Sequence, residues 1–136
     1  SFLLYPVSEN RFMNLPFRRE GVQVQLKNPF ETQPLEFSLR VLMPKEMTVN
    51  GVKVRVGEGK EIFIDKKIRS GEWVIYKKGK LYLADQGRKP LEEIAFNEKL
   101  SIARGQSNFR VSAGQADDEK IKLELVVPVI GKAERL

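Results

Sequence analysis

Cysteine and histidine are both absent from the 136 residues of this sequence. Without cysteine the chain has no disulfide, no thiolate metal site and no thiol nucleophile. Without histidine it lacks the Ser-His-Asp arrangement, the commonest general base and the usual zinc ligand. Carboxylate pairs can hydrolyse glycosides, but none of the 18 Asp and Glu residues is set apart by its neighbours. We therefore expect a non-catalytic domain without a cofactor, and no hydrolase activity from the isolated chain.

Long apolar runs are missing as well. No stretch approaches the roughly 20 apolar residues that a membrane-spanning helix needs. The apolar run at residues 1–7 is too short for a signal peptide and has no basic segment before it. Because Ser1 stands directly before this run, we expect the chain to be a fragment of a larger polypeptide, whose export signal would lie upstream.

The composition is that of one globular domain, which we assign to residues 1–136. The hydrophobic share is 41% and the charged share is 31%. Lys and Arg number 24 and Asp and Glu 18, which gives a net charge of +6. This charge favours an acidic partner, or it serves solubility alone. Acids interrupt the basic residues, and no strand matches an RNA-recognition signature, so we expect no nucleic-acid partner.

Apolar and polar residues alternate with a period of two in several segments. Alternation places one side of a strand on a core and the other in water. The clearest segments are residues 22–26, 35–41, 52–56 and 121–125. Some nine or ten short strands at regular spacing predict an all-β, two-sheet antiparallel β-sandwich of the jelly-roll, galactose-binding-like or immunoglobulin-like kind. Within residues 90–100, helical spacing of Leu91, Ile94 and Ala95 predicts one short helical turn.

Turn residues separate the predicted strands. Asn50-Gly51 tolerates the positive φ angles of a type I′ turn and predicts a hairpin in which Val49 faces Val52. Lys78-Gly79 predicts a second hairpin that joins residues 73–77 to residues 81–84, and a further turn follows at residues 85–88. The polar composition of residues 114–120 predicts a loop before the last strand. Its Asp117-Asp118-Glu119 run lacks the alternating spacing of a calcium loop, so we expect no metal site.

The second predicted hairpin collects aromatic and basic residues. Residues 73 and 75 share one face of its first strand and residues 74 and 76 the other, and both faces are apolar, which predicts a central strand. Sugar rings stack on aromatic faces, and basic side chains donate hydrogen bonds to sugar hydroxyls. The alternative is that the aromatics are core residues and that the lysines protect a sheet edge. If the domain binds a ligand, the candidate residues are Tyr76, Tyr82, Trp73, Lys78 and Lys80.

The segments IRSGEWVIY at residues 68–76, GKLYLAD at residues 79–85 and LSIARGQSNFRV at residues 100–111 form a recognisable series. This series resembles the carboxy-terminal β-sandwich domains of bacterial glycoside hydrolases and related polysaccharide-processing proteins, notably those of Bacteroidetes. The resemblance implies a periplasmic or extracellular setting and a catalytic domain in the same polypeptide as partner. It implies no catalytic residues, because such domains are accessory.

Two interpretations follow from these observations. The first is an accessory module of an exported polysaccharide-processing protein, which either binds carbohydrate weakly or braces a neighbouring catalytic domain. Binding needs exposed aromatics, whereas bracing needs an exposed apolar patch. The second is a structural or protein-interaction β-sandwich with no carbohydrate role.

Overall fold

Antiparallel strands make up most of the molecule. The computed structural model describes residues 3–59, 61–113, 119–132 and 134–135, and side chains for residues 5–59, 61–113 and 119–132. In chain order, the strands are β1 (Leu3–Leu4), β2 (Val7–Pro16), β3 (Val22–Asn28), β4 (Gln33–Pro34), β5 (Phe37–Leu42), β6 (Thr48–Val56), β7 (Glu61–Arg69), β8 (Trp73–Lys77), β9 (Lys80–Ala84), β10 (Pro90–Ile94), β11 (Ser101–Ile102), β12 (Gly105–Ala113), β13 (Lys122–Ile130) and β14 (Glu134–Arg135).

The strands form two large sheets and two short ribbons. The six-stranded sheet has the order β10-β9-β8-β5-β13-β2, and the four-stranded sheet has the order β3-β12-β6-β7. The ribbons are β1-β14 and β11-β4. No helix occurs in the described ranges, so the prediction of an all-β sandwich is confirmed. In the same part of the chain, no segment is a helix of the length and apolarity that would cross a membrane.

One apolar core joins the two large sheets. Phe37 of the six-stranded sheet lies at its centre, with its ring 5.7 Å from Tyr76 and 5.4 Å from Phe109 of the four-stranded sheet. From alternation with polar residues we expect nine side chains in particular to lie in the core; seven of them are buried, and the other two, Val22 and Val24, are half-buried against it. The seven are Leu35, Phe37, Leu39, Val52, Val54, Leu123 and Leu125.

The hairpin predicted at Asn50-Gly51 does not exist, because β6 runs straight through both residues. Asn50 pairs with Lys67 and Val52 with Ile64, and the register shifts between these two pairs. Gly51 has a φ of +71° at this shift. Val49 and Val52 would face opposite sides of a regular strand, because they are three residues apart. The irregularity at Gly51 lets both side chains enter the core, so the glycine serves a β-bulge and not a turn.

Gly51→Ala should lower the free energy of unfolding by about 1–2 kcal/mol, the cost of holding an L-residue in the left-handed region. The added Cβ would also lie 3.1 Å from the Phe63 ring. Urea denaturation measures the effect. Gly87→Ala is the matched control, since Gly87 needs no positive φ and its Cβ would meet only Asp85 Oδ1 at 3.5 Å. Equal stability of the two variants would contradict this role of Gly51.

The hairpin predicted at Lys78-Gly79 is confirmed. Lys77 pairs with Lys80 across the turn, and Lys78 and Gly79 have φ angles of +52° and +75°, as a type I′ turn requires. Strand β8 lies between β5 and β9, and its residues from Trp73 to Tyr76 are buried. The prediction of a central strand with two apolar faces is therefore also confirmed.

The short helical turn predicted within residues 90–100 is wrong. Residues 90–94 form β10 at the edge of the six-stranded sheet, paired with β9. Ile94 is buried, but Leu91 is 55% exposed, so the two do not share a buried face. The open backbone of β9 outweighs a weak helical spacing, because a sheet edge offers hydrogen-bond partners to a whole segment. The polar loop at 114–120 falls mostly outside the described residues, as do Asp117 and Asp118 of the acidic run.

Candidate functional site

A row of side chains crosses the solvent-facing side of the six-stranded sheet, which we call the outer face. Strand register places these residues directly beside one another, although they are far apart in sequence. Ser38 pairs with Val126 on one side and Ile75 on the other. The row then continues in both directions to the sheet edges. From β2 to β10 the row consists of Arg11, Val126, Ser38, Ile75, Tyr82 and Glu93.

A hollow of about 380 Å³ lies over this row, and we call it the sheet hollow. Ile75 and Val126 are nearly buried in it, whereas Tyr82 is half-buried. Ser38 adds a hydroxyl. A surface that combines an accessible phenol ring, short aliphatic side chains and a few polar groups suits a ligand with both apolar and hydroxyl faces. The full lining is Glu9, Arg11, Glu36, Phe37, Ser38, Ile75, Tyr76, Lys77, Tyr82, Arg88, Val126 and Pro128.

Trp73 and two arginines form the side of the outer face next to the hollow. Trp73 is 4% exposed and packs with Ile75 and Ala84 in a small apolar cluster separate from the main core. The guanidinium carbon of Arg88 lies 4.0 Å from the centre of the Trp73 ring, and that of Arg40 lies 4.7 Å from it. Cation–π contacts of this kind hold both side chains against the ring. Trp73 therefore supports the hollow from the side rather than lining it.

The turn at residues 85–88, predicted from sequence and confirmed here, fixes the position of Arg88. Asp85 Oδ1 accepts hydrogen bonds from the backbone N–H of Gly87 at 2.9 Å and of Lys89 at 2.8 Å. The backbone N–H of Arg88 donates to the Asp85 carbonyl at 3.0 Å, and Arg88 has a φ of +68°. Its Nη1 donates to Ser38 Oγ at 3.0 Å. Backbone and side chain together therefore aim this guanidinium at the hollow.

A nearly buried ion pair extends the same face away from the hollow. Arg40 and Glu124 are direct cross-strand neighbours, and Arg40 Nε donates to Glu124 Oε2 at 2.6 Å. The Glu124 side chain is 7% exposed and that of Arg40 is 28% exposed. Arg40 thus links a buried carboxylate to the Trp73 ring. This arrangement is structural support, since neither charge of the pair lines the hollow.

Tyr76 packs into the core between the sheets and is also among the residues that line the hollow, and its part in ligand binding stays a prediction. It is 1% exposed. Its hydroxyl donates to the Glu98 carbonyl at 2.8 Å and accepts from the Leu100 backbone N–H at 3.0 Å. Phe37 and Phe96 pack against its ring. Lys77 pairs with Lys80, so Tyr76 pairs with Leu81 and Ile75 pairs with Tyr82. Tyr82 therefore lies beside Ile75 on the outer face and not beside Tyr76.

The other predicted site residues lie on the hairpin, but only one of them lines the hollow. Tyr82 does, whereas Trp73 supports the hollow from the side. Lys78 is exposed at the turn. Lys80 lines a separate hollow of about 400 Å³ at the β10 edge, and its Nζ is 4.0 Å from Glu93 Oε1. Binding by Tyr82, Trp73, Lys78 and Lys80 stays a prediction.

Sequence reasoning missed the residues that other strands bring to Tyr82. Ser38, Val126 and Arg11 come from β5, β13 and β2, and the alternation of those strands gives no sign of which positions adjoin the hairpin. The sequence does carry a signal for Arg88, because it predicts the turn in which this residue lies. A two-residue hairpin at Lys78-Gly79 places residue 84 opposite residue 73, so the turn that follows residue 84 lies at the same end of the hairpin as Trp73.

Charged groups surround the hollow. Arg11 and Glu9 form an ion pair at 3.0 Å, which leaves Lys77 and Arg88 as the cations and Glu36 as the remaining acid. No group of three or more metal-ligating side chains occurs among the residues described. The geometry of the hollow can therefore supply stacking, hydrogen bonds and positive charge to a bound molecule.

An apolar cleft of about 460 Å³ lies at another end of the same sheet. Tyr5 is 64% exposed and Ile130 is 45% exposed within it. Val7, which pairs with Ile130, is 62% exposed. Adjacent exposed apolar side chains of this size are typical of surfaces that contact another protein domain.

Comparison with known proteins assigns no family. No protein-family model matches the sequence, and no curated protein matches it. Among solved structures, the chain is similar to the crystal structure of an exo-beta-1,3-galactanase from Phanerochaete chrysosporium with galactose, with 13% sequence identity and a TM-score of 0.41. The similarity covers 95% of this chain and 30% of the galactanase chain. At this identity and TM-score it gives no activity or ligand to the present domain.

Proposed function

We propose that this domain is a non-catalytic carbohydrate-binding module that takes a glycan in the sheet hollow. The module would serve an exported polysaccharide-processing protein and lie beside a catalytic domain of the same polypeptide, as the sequence resemblance implies. Hydrolysis of a glycan by the isolated chain, abolished by replacing a single acid, would contradict the non-catalytic assignment.

The observation that carries this proposal is the half-buried Tyr82 ring inside a hollow on a rigid sheet. Its neighbours in the row are held by backbone pairing across the sheet, so the backbone that carries the ring is in place before any ligand binds. Preorganised aromatic rings bind with little loss of side-chain entropy, and sugar C–H faces stack on them. Ser38 and Arg88 supply hydrogen-bonding groups within the same hollow.

Tyr82→Ala should weaken glycan binding by about 5-fold to 150-fold, equivalent to the roughly 1–3 kcal/mol measured for aromatic stacking on bases. Affinity gel electrophoresis on xylan, galactan, β-glucan and polygalacturonate would measure it. The melting temperature should stay nearly unchanged, because the ring is only half-buried at the surface.

Phe63→Ala is the matched control for this experiment. Phe63 is 54% exposed on β7, in the other large sheet, so its removal deletes an aromatic ring at a distance from the hollow. Binding by Phe63→Ala should equal that of the wild type. Loss of binding in both variants would show that exposed aromatic side chains bind the polysaccharide non-specifically.

The second candidate is a structural brace or protein-interaction domain, which the apolar cleft at Tyr5 and Ile130 favours. The two candidates predict different results for the same panel. A brace binds no polysaccharide, and Ile130→Ser then lowers the melting temperature of the neighbouring domain in the full polypeptide. A glycan-binding module retains its binding when Ile130 is changed.

A further inference from the structure

The geometry of Arg88 points to an acidic glycan as the ligand: we propose that the sheet hollow recognises a uronic acid residue, with its carboxylate on the Arg88 guanidinium and its ring against Tyr82. This inference rests on the proposed function, since it names the ligand class of the same hollow.

Arg88 is held in place before any ligand binds. A φ of +68° is rare for a residue other than glycine, asparagine or aspartate, and such conformations concentrate at functional positions. The two hydrogen bonds that Asp85 accepts maintain the turn, and the Trp73 ring at 4.0 Å holds the guanidinium. Together these restraints limit the positions that the guanidinium can adopt.

The restraints leave hydrogen-bond donors free. The cation–π contact with Trp73 occupies none of the five N–H donors of the guanidinium with a hydrogen bond. One donor from Nη1 goes to Ser38 Oγ. Within the described parts of the chain, no carboxylate forms an ion pair with Arg88, and the residue is exposed. A planar guanidinium with free donors matches a carboxylate, which it can bind through two parallel hydrogen bonds.

The charge around the hollow favours the same ligand. The Glu9–Arg11 pair neutralises itself, and the two remaining cations, Lys77 and Arg88, outnumber the one remaining acid, Glu36. A neutral sugar would gain nothing from this imbalance, whereas a uronate gains an attraction that salt weakens. Tyr82 and Arg88 both line the hollow, so one sugar residue can contact the ring and the guanidinium at once.

The test compares polygalacturonate with its methyl-esterified form, which keeps the sugar and removes the charge. The wild type should bind the acid form at least 10-fold more tightly at low salt, and this preference should shrink at about 1 M salt. Arg88→Asn should abolish the preference, because it weakens binding of the acid form at least 10-fold more than binding of the ester, and asparagine tolerates the positive φ. If Arg88→Asn is unstable, Arg88→Lys is the second variant. It keeps the charge and loses the planar fork of the guanidinium, and it should lose most of the preference for the acid form.

Arg55→Gln is the control for bulk charge. The substitution removes the same charge as the change at Arg88, but Arg55 lies on β6 in the other large sheet. An equal loss in Arg55→Gln would overturn a specific role of Arg88. Tighter binding of dextran sulfate with the same dependence on Arg88 would overturn the carboxylate in favour of a sulfate. Equal binding of acid and ester would overturn the acidic ligand but leave the proposed function standing. No binding of any polysaccharide in the panel would overturn both proposals.

Discussion

Phe37→Ala should lower the free energy of unfolding by about 3–5 kcal/mol, the usual cost of deleting a fully buried aromatic ring. Phe37 is 1% exposed and is the ring that joins the two sheets, with Tyr76 stacked at 5.7 Å and Phe109 edge-on at 5.4 Å. Neither neighbour can collapse into the cavity, because each belongs to a strand paired on both sides. Urea denaturation followed by tryptophan fluorescence would measure the loss.

Phe63→Ala provides the comparison, since it removes the same ring from a site that is 54% exposed. Its free energy of unfolding should change by less than about 0.5 kcal/mol. A loss of similar size in the two variants would mean that the core between the sheets is not closely packed around Phe37.

Arg40→Met should cost about 3 kcal/mol of unfolding free energy, the lower end of the range for breaking a buried ion pair. The cost arises because the Glu124 carboxylate, with a side chain 7% exposed, would keep its charge without a partner. The lower end applies because the Arg40 side chain is 28% exposed, so water can partly replace it. The double variant Arg40→Met/Glu124→Met should recover most of the loss, since an apolar pair leaves no buried charge.

Arg55→Met breaks an exposed pair and serves as the control. Arg55 Nη2 lies 3.6 Å from Glu61 Oε2, and the two side chains are 53% and 39% exposed. Exposed pairs contribute about 0–1 kcal/mol, so this variant should be close to the wild type. If Arg40→Met is no more destabilising than Arg55→Met in urea denaturation, then water solvates Glu124 and the ion pair is not a support of the outer face.

The two Gly-containing motifs show which features of the backbone the local sequence predicts and which it does not. Lys78-Gly79 and Asn50-Gly51 both place residues with positive φ between apolar segments, and both predicted hairpins. The first is a hairpin because β8 and β9 are each other's partners. The second lies within β6, because β7 supplies a partner long enough to pair on both sides of Gly51. Local sequence fixed the need for a positive φ in both places, and strand pairing decided between a turn and a bulge.

The alternation of apolar and polar residues by itself determined the all-β sandwich and most of its core, because a period of two assigns each side chain to a face regardless of partners. The alternation does not show which face of β8 packs on the core, because both faces are apolar. It therefore did not separate Tyr76 in the core from Tyr82 in the hollow. The tertiary structure also decided the hollow itself. Val126, Ser38 and Ile75 become neighbours only through the order of the strands, which long-range pairing sets and no local pattern encodes.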